Sequence, residues 1–214
     1  MKRTLILVVA LMFVIGVAGI ASAQITGSVH DFSGSITWSV TTGEICKPCH
    51  APHTTNTAVD SILWNHDPST VASYQPYASS TMNDTPGQPE GHSKLCLSCH
   101  DGSIAVNAFP GETGGGAKVT GSLQIAKGAA NDDLRGQHPI SILYDAGVGS
   151  DDNLNYPASS VLFGANTLDQ VLPGGKVQCS TCHDVHNTLG EANGAFLLRL
   201  DNSASGLCLA CHSK

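Results

Sequence analysis

The stretch 177-VQCSTCHDVHN-187 sets two cysteines three positions apart, a histidine directly after the second, and another histidine three residues on. A near copy, 45-ICKPCHAPH-53, lies upstream. All eight cysteines fall in such pairs: Cys46/Cys49, Cys96/Cys99, Cys179/Cys182 and Cys208/Cys211. Paired C-x-x-C suits three chemistries: disulfides of an exported chain, zinc held by four thiolates, or covalent haem attachment. The next residue separates them. His50, His100, His183 and His212 follow the second cysteine every time. At this histidine content, four such coincidences have a chance of roughly 5 in a million. Disulfides and zinc sites do not need that residue four times. A c-type haem does, because two thiols add to its vinyl groups and the adjacent imidazole reaches the iron. The sequence therefore predicts four heme c groups, each held by one pair and one proximal histidine.

Composition agrees. Met1, Lys2 and Arg3 begin the chain, Leu5 to Ile20 is almost unbroken apolar sequence, and Ala21-Ser22-Ala23 fits a small-x-small cleavage rule. Residues 1–23 read as a secretory signal peptide and residues 24–214 as the mature tetrahaem domain. The apolar run is short for a membrane span. Removing Lys2 and Arg3 takes the net charge from −7 to −9, which argues against a nucleic-acid partner. Leu, Ile, Val and Phe total 39 of the 191 mature residues, near the border of disorder. Haem faces would supply the missing core at about 25 cal/mol per Å² buried. The expected fold is mostly irregular coil, with short helices at the cysteine motifs and few strands, organised around a continuous haem stack. Val119 to Ile125 is a candidate strand. Residues 197–212 are a candidate pair of short helices around a turn, and 110–121 is a loop.

Six histidines remain for the far side of each iron: His30, His53, His66, His92, His138 and His186. The mature chain has one methionine, Met82, which could serve one haem at most. Bis-histidine ligation at all four follows, and it favours electron transfer over catalysis at an open iron. If the segment after His183 is helical, His186 lies about 4.5 Å along the axis and cannot reach the far face of the same iron. It must serve another haem, and the same holds for His53. His138 precedes Pro139, which favours an extended backbone. Ligation through His30 would pin the N-terminal segment. His66 and His92 either replace one of these or are solvated or bonded to a propionate. Asp101 and Asp184, directly after proximal histidines, either cap a turn, orient an imidazole or are solvated acids.

The series "HDFS", "CKPCHAPH", "LWNH", "SKLCLSCHDG", "HPISILYD", "CSTCHDVHN", "FLLR" and "LCLACH" resembles the doubled-C-x-x-C-H multihaem cytochromes of metal-reducing bacteria. Within them it is similar to the OmcE-type extracellular tetrahaem cytochromes, which polymerise into conductive filaments. The resemblance implies that His30, His53, His138 and His186 are the distal ligands, with His66 a variable feature of the group. It implies that His53 reaches into the neighbouring subunit of a head-to-tail homopolymer. The expected function is electron transfer, not enzymatic turnover, by an extracellular or cell-surface conduit. Its partners would be upstream periplasmic or outer-membrane cytochromes and external acceptors such as metal oxides. A soluble periplasmic shuttle and a haem-dependent reductase are the competing expectations.

Overall fold

The computed structural model describes residues 25–34, 37–52, 63–82, 84–144, 153–156, 161–163, 166–188 and 197–213. The expected signal peptide and His53 lie outside them. Among the described residues turns and coil dominate, and no helix is long and apolar enough to cross a membrane. Helix α1, Gly91–His100, carries the whole second cysteine motif. It stops because Gly102 adopts φ +75°, letting the Gly102 N–H reach the Cys99 carbonyl at 3.1 Å. A Cβ at that position would meet the Val119 carbonyl oxygen at 2.7 Å, so the stop requires glycine.

Strand β1 (Ile142–Leu143) pairs antiparallel with β4 (Lys176–Val177), Ile142 opposite Val177. Strand β2 (Val161–Phe163) pairs with β3 (Asn166–Thr167). Helix α2, Cys179–Cys182, follows β4 directly, and helix α3, Gly206–Cys211, carries the fourth motif. Two small side-chain cores form: Tyr144, Leu168, Val171, Leu172 and Val177 behind β1–β4, and Tyr74, Leu97, Ala126 and Leu134 against α1. Clusters of this size match the low aliphatic content.

A polar seam locks α1 to α2. The Cys179 N–H donates to Ser93 Oγ at 3.0 Å, the Ser93 N–H to Gln178 Oε1 at 3.3 Å, and His92 Nδ1 lies 2.7 Å from Ser180 Oγ. Lys176 pairs with Glu90 at 2.5 Å beside it. The second and third motifs, distant in sequence, are therefore neighbours in space.

Two sequence expectations are corrected. Val119 to Ile125 is not a strand: Gly121 at φ +66° ends the extended run, and residues Gly121–Leu123 form a 3-10 turn. Ahead of α3 there is no helix at Leu197–Leu200. Leu197 has φ +53°, and Leu198 pairs with His183 in a β-bridge, so this backbone is committed elsewhere. The 110–121 loop is found as expected.

Candidate haem-attachment sites

The same local device recurs at three of the four motifs. A helical turn carries both cysteines, then the histidine leaves it in an extended conformation, at φ −109° and ψ 141° for His183 and φ −103° and ψ 133° for His212. Each of these histidines sits in an isolated antiparallel bridge: His50 with Trp64, His183 with Leu198, His212 with Leu154. The bonding repeats around each bridge. The residue after the histidine donates to the carbonyl before its partner: Ala51 to Leu63 at 3.0 Å, Asp184 to Leu197 at 2.7 Å, Ser213 to Asn153 at 2.8 Å. The residue after the partner donates to the second cysteine's carbonyl: Asn65 to Cys49 at 3.0 Å, Arg199 to Cys182 at 2.9 Å, Asn155 to Cys211 at 2.8 Å. His100 differs, closing α1 and accepting the Ile125 N–H at 2.7 Å. The segment beyond His183 is not helical. Its backbone pairs with Leu197 and Arg199, and His186 comes from the turn closed by the Asn187 N–H on the Asp184 carbonyl at 2.9 Å.

The histidine rings form cross-chain pairs. His50 and His186 have ring centres 6.2 Å apart, His30 and His100 6.1 Å, and His138 and His212 6.4 Å. Two metal–imidazole bonds of about 2 Å, plus about 1.1 Å from each nitrogen to its ring centre, separate trans imidazoles by roughly 6.2 Å. The residues therefore fit an iron held between two histidines. Tautomers fit as well. His100 Nδ1–H donates to the Leu123 carbonyl at 2.8 Å and His138 Nδ1–H to the Pro139 carbonyl at 2.9 Å, leaving each Nε2 lone pair for a metal. His30 Nδ1 is buried without a hydrogen-bond partner. Burial, then the neighbouring His100 and His183, lower the His30 pKa to about 4, so the ring stays neutral, the form that ligates.

None of the eight cysteines is joined to another in a disulfide. Burial pushes Cys49, Cys182 and Cys211 up to about 11 and Cys99 up to about 12. Across the α1–α2 seam, Cys96 and Cys179 share a hydrogen bond that raises Cys96 and lowers Cys179. Among the described residues no three His, Cys, Asp or Glu side chains converge as a cage for a bare metal ion, which is what the zinc reading would require.

The supporting residues depart from expectation. Asp101 and Asp184 are buried, at 0% and 6% exposure, and neither is a solvated acid. Asp184 caps the turn that presents His186, accepting the His186 N–H at 3.2 Å and the Thr188 N–H at 2.8 Å. Burial raises its pKa, but the Thr188 bonds and the Arg199 charge bring the net value below the ordinary one. His66 is also buried, its ring nitrogens 2.8 Å from the Asp67 carbonyl and 3.0 Å from the Ala105 carbonyl. His92 belongs to the seam, bonded to Ser180. Asn65 and the bridge partners were invisible in the sequence, since nothing in "LWNH" or "LLRL" marks a backbone pairing.

Residues 172–214, spanning the third and fourth motifs, match the family described as the doubled CXXCH motif. The match supports a multihaem c-type cytochrome. It indicates covalently bound heme c and, with it, electron transfer. No curated protein matches the chain.

Proposed function

We propose that the chain carries four bis-histidine heme c groups and works as an electron conduit, not an enzyme. Cys46/Cys49, Cys96/Cys99, Cys179/Cys182 and Cys208/Cys211 are the tethers, with His50, His100, His183 and His212 as proximal ligands. The observation that carries this reading is three pairs of histidine rings, far apart in sequence, with centres 6.1, 6.2 and 6.4 Å apart, which could hold an iron between them. On this reading His186 would serve the iron of His50, His30 that of His100, and His138 that of His212. One-to-one pairing of the four distal histidines then leaves His53 for His183.

Bound heme c supplies one-electron iron chemistry. The chain would tether it through the cysteine pairs, hold His100 and His138 through their Nδ1–H bonds, and keep His30 neutral by burial. The His183–His186 segment touches two sites at once, because His186 faces His50 while His183 stays with its own motif.

We place the mature chain, from Gln24, outside the cell as a head-to-tail polymer in which His53 of one subunit completes the His183 site of the next. A heterologous contact of this kind propagates as an open filament. The resemblance to filament-forming cytochromes supports this, and a second histidine at every iron would leave no open position for a reductase. Upstream cytochromes would load the conduit, and metal oxides or similar acceptors would drain it.

The test combines intact mass with negative-stain imaging of secreted protein. Four haem additions on a chain starting at Gln24, with filaments lost in His53→Ala, are expected. Fewer than four haems would sink the tetrahaem reading. Filaments persisting in His53→Ala with every iron low-spin would remove His53 as the bridge, and an unpolymerised wild type would leave a periplasmic shuttle.

A further inference from the structure

Asp101 follows His100 directly and is fully buried. Its Oδ1 accepts the Ser103 N–H at 2.7 Å, and its Oδ2 accepts the Tyr74 hydroxyl at 2.7 Å and the Ser69 hydroxyl. Both oxygens act as acceptors, and every donor is a neutral group. Ser69 and Tyr74 lie on a strap running from His66 to Tyr74 across the second motif. That strap is pinned by the Asp67 N–H on the Ala108 carbonyl at 2.8 Å and by His66, whose Nε2 lies 3.4 Å from Cys99 Sγ. Burial, with the Asp101 charge adding to it, pushes the Tyr74 phenol far up, so it remains a donor throughout the working pH range.

No cation compensates this charge among the ion pairs of the described residues. Lys47 pairs with Glu44, Arg135 with Asp133, and Lys176 with Glu90. The comparison with Asp184 is instructive. That acid also follows a proximal histidine and is also buried, yet the Arg199 charge acts on it. A buried negative charge in a low dielectric favours the more positive state of a neighbouring redox centre, and ferric haem is more positive than ferrous.

We infer that Asp101 is a potential-setting residue, holding the haem tethered by Cys96 and Cys99 at a lower potential than the one tethered by Cys179 and Cys182. Tyr74 and Ser69 are positioning residues that keep the carboxylate at its place. The second and third sites are then not equivalent, and an electron dwells less at the second than at the third. This rests on the reading of His100 as an iron ligand.

The experiment is spectroelectrochemistry and electron paramagnetic resonance on the holoprotein. Asp101→Asn should keep every haem of the parent and its low-spin iron while one potential rises. At fixed solution potential, the reduced-to-oxidised ratio of that haem should grow about tenfold, equivalent to about 59 mV for one electron. Tyr74→Phe keeps the charge but removes a donor, and should move the same potential the opposite way. It carries the test should Asp101→Asn fail to fold. Asp133→Asn, an acid paired with Arg135 away from the motifs, should move nothing. Unmoved potentials in the folded variants overturn the inference, as do shifts of one sign in both. Missing haem or high-spin iron in the unmutated protein would instead defeat the ligand reading itself, and that outcome is distinct from an unmoved potential.

Discussion

Replacing His186 by alanine separates two roles that one side chain combines. Its ring stands 6.2 Å from that of His50. If iron lies between them, the link also ties the two ends of the fold together across about 136 residues, and the loop-closure relation gives about 5 kcal/mol for a single tie of that length. The overlapping His30–His100 and His138–His212 ties already restrict the chain, so the expected loss is about 2 to 5 kcal/mol. Two readouts follow. In electron paramagnetic resonance, the iron held by His50 alone should turn high-spin while the others stay low-spin. In guanidinium titration, the midpoint should fall with the slope unchanged. Free imidazole then discriminates. It fills the vacated coordination position and restores the low-spin signal, but it is not part of the chain and cannot close the loop, so the lost stability should not return. Full recovery of stability with imidazole would refute the tether argument. An all-low-spin variant without imidazole would refute the pairing of His186 with His50.

Leu97 is 1% exposed at the centre of the cluster with Tyr74, Ala126 and Leu134, so Leu97→Ala should destabilise the holoprotein by about 2–5 kcal/mol in chemical denaturation while keeping its haem content. Hydrogen bonds from the Arg135 side chain and N–H hold Asp133 down at about 2. A depressed carboxylate stabilises the fold above its unfolded pKa, near 3.9, and that contribution vanishes as pH falls through about 2. NMR titration should therefore show Asp133 ionised at pH 3 in the wild type, and returned towards its ordinary value in Arg135→Ala.

The sequence made the chemistry legible because covalent attachment leaves an invariant trace: two thiols and an imidazole at fixed spacing. A helical rise would have kept His186 from the haem of His183, but the backbone there is extended and turned, not helical. The partner of His186 was not legible. The 6.2 Å approach to His50 comes from tertiary contacts with no local signature. The same applies to Asp101 and Asp184, whose burial depends on hydroxyls from Ser69, Tyr74 and Thr188 at different distances along the chain. The backbone after the third motif was not legible either, because a helical continuation is the local preference and a bridge to Leu198 overrides it. The failed strand at Val119 to Ile125 turned on a single glycine taking a left-handed conformation.

The bridge that holds His50, His183 and His212 is indifferent to the direction from which its partner arrives. Trp64 follows His50 and Leu198 follows His183, each by a short excursion, whereas Leu154 comes long before His212. The unit therefore asks for a strand-like neighbour but does not specify a connection. Lengthening such an excursion adds only about 0.6 kcal/mol per doubling in closure entropy. Peptide tags or whole binding modules could accordingly be inserted between His186 and Leu197 with the ligand geometry intact. The loops between the motifs are the ground on which evolution or an engineer can change what the molecule touches without disturbing the bridges.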